Sequence, residues 1–128
     1  MIQVGSELKV LDNSGGRFVY CIHVFGGFQR RYARLRDKIL VVVRKLRRRR
    51  KDEIKVKKGE LHIGMIIRLK AKTKVKKKGY VRSYDSNSLI LLDKKNKLIG
   101  TRIASGLDRS FRRSKHLKLM FVSEGWVK

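Results

Sequence analysis

Cations at regular spacing are the residues of this chain best placed to do chemistry. Lys70, Lys72, Lys74 and Lys76 recur at every second position, with Ala71, Thr73 and Val75 between them. Two is the period of a β-strand, so an extended segment puts all four ammonium groups on one face. Lys77, Lys78 and Gly79 make a tip, and Tyr80 to Tyr84 supplies a return strand with Tyr80, Arg82 and Tyr84 facing one way. The stretch from Gly64 to Asp93 thus reads as a core strand that leaves the body as a basic two-stranded arm, over about residues 70–82, and re-enters the core at Ser88 to Leu92. A solvated lysine-rich loop is the alternative for the same residues. A second constellation interleaves aromatics with arginines: Phe28, Arg30, Arg31, Tyr32, Arg34 and Arg36. Guanidinium groups pair bidentately with phosphate, and an aromatic ring stacks on an unpaired base. Here the alternative is a solvated loop with its aromatics tucked into the core. In a third, seven of the eight residues 44–51 are Lys or Arg, among them Arg47, Arg48, Arg49, Arg50 and Lys51. Such a block is either disordered or held by phosphate.

Catalytic constellations are missing from the pattern. The single cysteine, Cys21, sits in the apolar run Phe18 to Val24 and reads as a small core residue rather than a nucleophile. His23, His62 and His116 are scattered, with no metal-ligand spacing, so neither a zinc site nor a cofactor is expected. No carboxylate pair or nucleophile motif supports an enzyme. The Gly15-Gly16 turn lacks the Gly-Lys-Ser/Thr of a phosphate-binding loop.

The charge balance points the same way as the cations. Against 35 Lys and Arg stand 10 Asp and Glu, for a net charge of +25 in 128 residues. A chain this basic repels itself at close range unless a polyanion neutralises it. Nucleic acid leads over an anionic membrane, because no run approaches the ~18 apolar residues of a membrane span. Residues 1–29 contain only Lys9 and Arg17 against Glu7 and Asp12, so the whole excess comes from Arg30 onward. A neutral N-terminal part and a basic remainder follow. A chain starting at Met1-Ile2-Gln3, with no signal or transit leader, is the expectation at the N-terminus.

The elements that must position these groups are short strands. Glu7 to Leu11 alternates as a half-buried strand, and Asp12 to Gly16 has strong turn chemistry. Phe18 to Phe25 is a second strand, with Phe18, Tyr20, Ile22 and Val24 on one face and Val19, Cys21 and His23 on the other. Ile39 to Val43 is a third, Leu61 to Leu69 a fourth, Ser88 to Leu92 a fifth, and Leu98 to Ala104 also reads as strand-like. Asp108 is a fit N-cap, and Leu107, Phe111, Leu117, Met120 and Phe121 approximate helical spacing over two short turns. Five or six short strands with Gly and Asx turns predict a mainly β fold, a small closed barrel with a helical C-terminal appendix.

Collinear motifs give these residues a family. Leu8-Lys9-Val10-Leu11-Asp12-Asn13-Ser14-Gly15, Cys21-Ile22-His23-Val24-Phe25-Gly26-Gly27, Arg30-Arg31-Tyr32-Ala33, Val56-Lys57-Lys58-Gly59 and Ile99-Gly100-Thr101-Arg102-Ile103 follow one another in order. The chain resembles the universal large-subunit ribosomal protein family numbered fourteen, in its bacterial and organellar form, nearly end to end. The resemblance implies a five-stranded β-barrel in residues 1–104 with a protruding basic β-ribbon, and short helices in residues 105–128, within one domain. It implies binding to large-subunit rRNA, bridges to small-subunit rRNA, and contact with ribosomal proteins of families three and nineteen. It further implies that a ribosome silencing factor docks on the C-terminal region.

Under that reading Arg30, Arg31, Tyr32, Arg47 to Lys51, Lys57, Lys58, the arm lysines Lys70, Lys72, Lys74, Lys76, Lys77 and Lys78, and Arg82 meet rRNA. Thr101, Arg102, Arg112, Lys115 and Lys118 face the small subunit or a protein partner. The chain departs from the family at its usual Pro-Arg-Gly loop, which here reads Leu46 to Glu53, and at Ser86-Asn87 and Ala104-Ser105-Gly106-Leu107. The absence of proline and heavy use of lysine and isoleucine suggest an organelle-encoded, mitochondrial protein, with bacterial cytoplasm or plastid as alternatives. A free nucleic-acid-binding barrel or a translation factor is the other reading of the fold; a factor that cycles on and off has no need of +25.

Overall fold

The computed structural model describes residues 1–48, 53–74, 79, 81–108, 110–111 and 117–127. Five strands close a barrel: β1 (Glu7–Val10), β2 (Gly16–Val24), β3 (Lys38–Leu46), β4 (Leu61–Arg68) and β7 (Ser88–Leu92), in the order β1-β2-β3-β4-β7. Neighbours are antiparallel except at the closing seam, where β1 and β7 run parallel through Lys9↔Ser88 and Val10↔Leu89. Between β4 and β7 lies a two-stranded sheet of β5 (Thr73–Lys74) and β6 (Val81–Arg82). These are the described flanks of the expected arm; its tip at residues 75–78 lies outside the described residues. A parallel pair, β8 (Leu107–Asp108) and β9 (Trp126–Val127), brackets the helix α1 (Leu117–Val122).

Alternation fills the barrel. Leu8, Val10, Val19, Cys21, Ile39, Val41, Val43, Ile66, Leu89 and Leu91 are buried inside it. Burial raises the pKa of the Cys21 thiol, as fits a core residue. The opposite faces of β4 and β7 are buried as well. Met65, Ile67, Ile90 and Leu92 pack there against Ile103, Leu107, Phe111 and Leu119 of the C-terminal part. This explains why both strands read as continuous apolar runs: each is covered on both sides. A six-residue helix such as α1 is not stable alone. Leu119, with Met120 and Val122 partly buried beside it, holds it to the barrel; a fully buried leucine contributes about 1.5–3 kcal/mol.

Two sequence expectations are corrected. Leu98 to Ala104 is not a strand; it makes isolated bridges, Leu92↔Leu98, Asp12↔Ile103 and Ile103↔Ser123, and is held by scattered backbone bonds and by the Asn13 side chain. Phe121, placed by spacing on the docked face, is 89% exposed. The face assignment of β2 also breaks. Val24 is buried and His23 is exposed, because Ile22 is an extra residue between Cys21↔Val41 and His23↔Leu40. A one-residue bulge moves every following side chain to the other face.

The base of the arm is tied to the C-terminal part through Asp108. Its carboxylate pairs with the Arg82 guanidinium, accepts the Ser110 N–H at 2.7 Å, and accepts the Tyr84 hydroxyl at 3.3 Å. The expected capping role is therefore present, over a single turn at Ser110–Phe111, beside a second role as an anchor. Arg68 completes the cluster, stacked 5.1 Å from the Tyr84 ring centroid and donating to the Gly106 carbonyl at 2.9 Å. Burial pushes the Asp108 carboxyl up, but the Ser110 N–H and the Arg82 guanidinium outweigh it, so its pKa lies below the ordinary 3.8.

Asp108→Asn leaves Arg82 facing a neutral partner in a site where both side chains are about nine-tenths covered. It should cost on the order of 3 kcal/mol by urea denaturation at neutral pH. Because the folded pKa is depressed, this stabilisation is complete above pH 3.8 and is lost as pH falls through the folded value. The gap between wild type and Asp108→Asn should therefore close only in acid below that point.

Candidate nucleic-acid interface

The loop after β2 is built from the backbone outward. Ala33 is fully buried and exchanges both backbone bonds with Ile2, at 3.0 and 2.8 Å. Asp37 accepts the Arg34 N–H at 2.6 Å and pairs with the Arg30 guanidinium. Arg30 crosses directly over Gly26, where a Cβ would lie 2.1 Å from its Nη1; only glycine, here at φ 121°, leaves that space. The result is a framed loop with Arg31 and Arg34 exposed, Tyr32 44% exposed and Phe28 95% exposed. Gln3, His23, Gln29, Arg30, Arg31 and Tyr32 line an open hollow of about 510 Å³ beside it. The two aromatics are not in the core, so their rings are available for stacking on a base.

The basic block after β3 divides. Arg47 belongs to the barrel wall: its Nη2 donates to the Val10 carbonyl at 2.6 Å and its backbone N–H to Gly15 at 2.8 Å. Arg48 is exposed, and Arg49, Arg50 and Lys51 lie outside the described residues. Lys57 and Lys58 are exposed on a turn held by Glu60, which accepts the Lys57 N–H at 2.9 Å.

Lys70 and Lys72 are exposed where the arm leaves the barrel. There the Lys70 N–H is held by Asn87 at 2.8 Å, and the Lys70 carbonyl accepts the Ser83 hydroxyl at 2.7 Å. Lys74 lies in β5 opposite Val81, while Lys76, Lys77 and Lys78 fall outside the described residues. Arg82 is engaged with Asp108, so it positions the arm rather than presenting a free guanidinium.

Thr101 and Arg102 are clamped by Asn13. Its Oδ1 accepts the N–H groups of Thr101 at 2.8 Å and Arg102 at 3.2 Å, and its Nδ2 donates to the Thr101 hydroxyl at 2.9 Å. The clamp needs Gly100, where a Cβ would lie 2.7 Å from the Cβ of Asp12. Arg102 then pairs with Glu124 at 2.8 Å while staying 70% exposed. Lys118 is exposed on α1, near the exposed Phe121 in sequence; Arg112 and Lys115 lie outside the described residues.

Three further cations are also arranged for contact, two of them, Arg44 and Lys45, from the start of the basic block at 44–51. Arg17 sits 5.5 Å and Lys45 6.0 Å from the Phe18 ring centroid, and Arg44 sits 4.6 Å from that of Tyr20. All three are exposed. Nothing in a period-two pattern marks them, because irregularities in strand pairing aim them outward.

The geometry is a closed barrel with an apolar interior that carries outward cations and exposed aromatics. A model of the family described as Ribosomal protein L14p/L23e matches residues 1–127. That family comprises structural proteins of the large ribosomal subunit, which associate with rRNA and with other ribosomal proteins. Matched over nearly its whole length and folded as the closed barrel its motifs imply, the chain belongs to the Ribosomal protein L14p/L23e family.

Proposed function

We propose that this protein binds large-subunit rRNA through the loop at 28–36, the block at 47–51, the turn at 57–58 and the arm at 70–78. One observation carries the reading. Arg31, Arg34, Arg48, Lys57, Lys58, Lys70 and Lys72 are exposed and form no ion pair among the described residues. A set of exposed cations without carboxylate partners suits a phosphate backbone. Arg49, Arg50, Lys51, Lys76, Lys77 and Lys78 extend that set by sequence, and Phe28 and Tyr32 add ring faces for an unpaired base. Asp37 and Asp108 hold Arg30 and Arg82 as framing residues within it.

We further infer that Thr101, Arg102 and Lys118, with Arg112 and Lys115, form the face toward the small subunit or a protein partner. The Asn13 clamp supports this by fixing Thr101 and Arg102 in a fold region with no strand of its own. Bridges to small-subunit rRNA, neighbours of ribosomal families three and nineteen, and a silencing factor are the partners this reading names. The absence of proline and the lysine bias favour a mitochondrial ribosome over a plastid or bacterial one.

The free protein should bind rRNA with steep salt dependence. Neutralising on the order of 8–10 phosphates gives a log–log slope near −6 to −9; a slope shallower than about −2 in filter-binding titrations overturns the phosphate reading. Arg102→Glu with Lys118→Glu should leave urea stability within about 1 kcal/mol, since the one ion pair lost is exposed. Large-subunit incorporation should persist in gradient sedimentation while association with the small subunit, or with a silencing factor, falls. Wild-type association would remove this face from the proposal.

A further inference from the structure

The pairing of β2 with β3 is interrupted three times, and each interruption doubles the residues that face outward. Gly16 pairs with Leu46 and Phe18 with Lys45, so Arg17 is an extra residue on β2. Phe18 pairs with Lys45 and Val19 with Val43, so Arg44 is an extra residue on β3. The third is the bulge at Ile22 already described. The first two lie back to back. Regular alternation would turn one of Arg44 and Lys45 inward, and one of Arg17 and Phe18; with the bulges none is buried. β-bulges bend a strand and re-aim side chains, and they recur beside functional sites.

We propose that this outer face of β2 and β3 is a phosphate-backbone site for RNA, with Arg17, Arg44 and Lys45 as its cations and Phe18 and Tyr20 as the platform that orients them. The proposal rests on the rRNA-binding reading above and extends it to a wall of the barrel that reading leaves unused. Arg17 and Lys45 share the Phe18 ring, and Arg44 lies over Tyr20. Cation–ring attraction holds each charged head beside its ring, while the side chains stay exposed to solvent. Among the described residues none of the three forms an ion pair, although Glu7 stands opposite Tyr20 on β1. Lys9, exposed and opposite Phe18, adds a fourth positive charge to the same face. The charge complement is therefore a polyanion. The face is also continuous with the basic block, because Arg47 closes the end of the β2–β3 pair on Gly15 and Arg48 follows it. Holding long cationic side chains in place before contact reduces the rotamer freedom they lose on binding, so the rings act as a preorganising element.

The test compares the full-length chain with three variants on a large-subunit rRNA transcript, titrated with salt. Arg17→Gln/Arg44→Gln/Lys45→Gln should bind at least about tenfold more weakly at moderate salt, with a log–log slope shallower by about two to three. Lys94→Gln/Lys95→Gln/Lys97→Gln removes the same charge from another exposed loop and should change both much less. Phe18→Leu/Tyr20→Leu keeps every charge; it should lose about three- to tenfold in affinity with the slope intact. Thermal melts of all three variants separate binding loss from unfolding. Equal losses in the two glutamine variants, or a wild-type slope in the first, overturn the proposal while leaving rRNA binding in place. Loss that appears only when another ribosomal protein is present makes the face an acidic-protein site and overturns it too. A shallow slope in the wild-type chain itself defeats the rRNA reading instead. Wild-type affinity in Phe18→Leu/Tyr20→Leu removes the platform role.

Discussion

A buried carboxylate at the β1–β2 turn is the constraint on which the rest of the structure depends. Asp12 is fully buried, and isolation there would be costly for a charge. It is instead surrounded by donors: the Ser14 N–H at 3.0 Å, the Ser14 hydroxyl, and the Leu91 N–H of β7 at 2.8 Å. The last of these reaches across the parallel seam that closes the barrel. One residue further, Asn13 holds the segment carrying Thr101 and Arg102, and the Asn13 N–H itself donates to the Arg102 carbonyl at 3.1 Å. A single turn thus sets both the closure of the barrel and the place of a surface formed 88 residues later.

The same use of acids recurs through the molecule and accounts for its electrostatics. Asp12, Asp37, Glu60, Asp93 and Asp108 each accept a backbone N–H at a turn or strand end. Carboxylates here serve the frame, and two of them also fix an arginine, Arg30 in the loop after β2 and Arg82 at the base of the arm. Among the described residues the surface cations are left largely without internal counter-ions. A protein built this way is stable as a fold and unneutralised as a surface, which is the condition for binding a polyanion.

Much of this was legible in the sequence, and the failures have identifiable physics. Alternation located the barrel strands, and the Asp12 to Gly16 turn was recognisable from Asx and Gly chemistry. The Asp12 side chain does bond its local backbone, but that of Asn13 reaches a distant segment, which turn propensity does not encode. Leu98 to Ala104 looked strand-like; it is apolar at Ile103 to fill the second core and is tied by scattered backbone bonds and the Asn13 side chain rather than by a ladder. Phe121 fitted a helical spacing and yet faces solvent, since α1 spans too few residues for spacing to fix its buried side. The placement of Arg17, Arg44 and Lys45 over the Phe18 and Tyr20 rings was not legible, because a bulge is a property of two strands in register, not of either alone. Lys70 and Lys72 are exposed, but so is Ala71 between them, because the chain bends there and becomes a strand only at Thr73; the engagement of Arg82 with Asp108 joins residues 26 apart and has no local signal.

The parallel seam between β1 and β7 has a consequence for the order of events during synthesis. The first barrel strand finds its last neighbour only after Leu92 has been made, and so the barrel is an inherently non-local structure whose formation is slow relative to local pairing. The block at 44–51 and the arm lysines precede that point in the chain. At roughly 5–20 residues per second they spend seconds as unfolded, strongly cationic polymer before the frame that directs them exists. In that interval their attraction to any nearby polyanion is indiscriminate, and selectivity begins only when the ring closes.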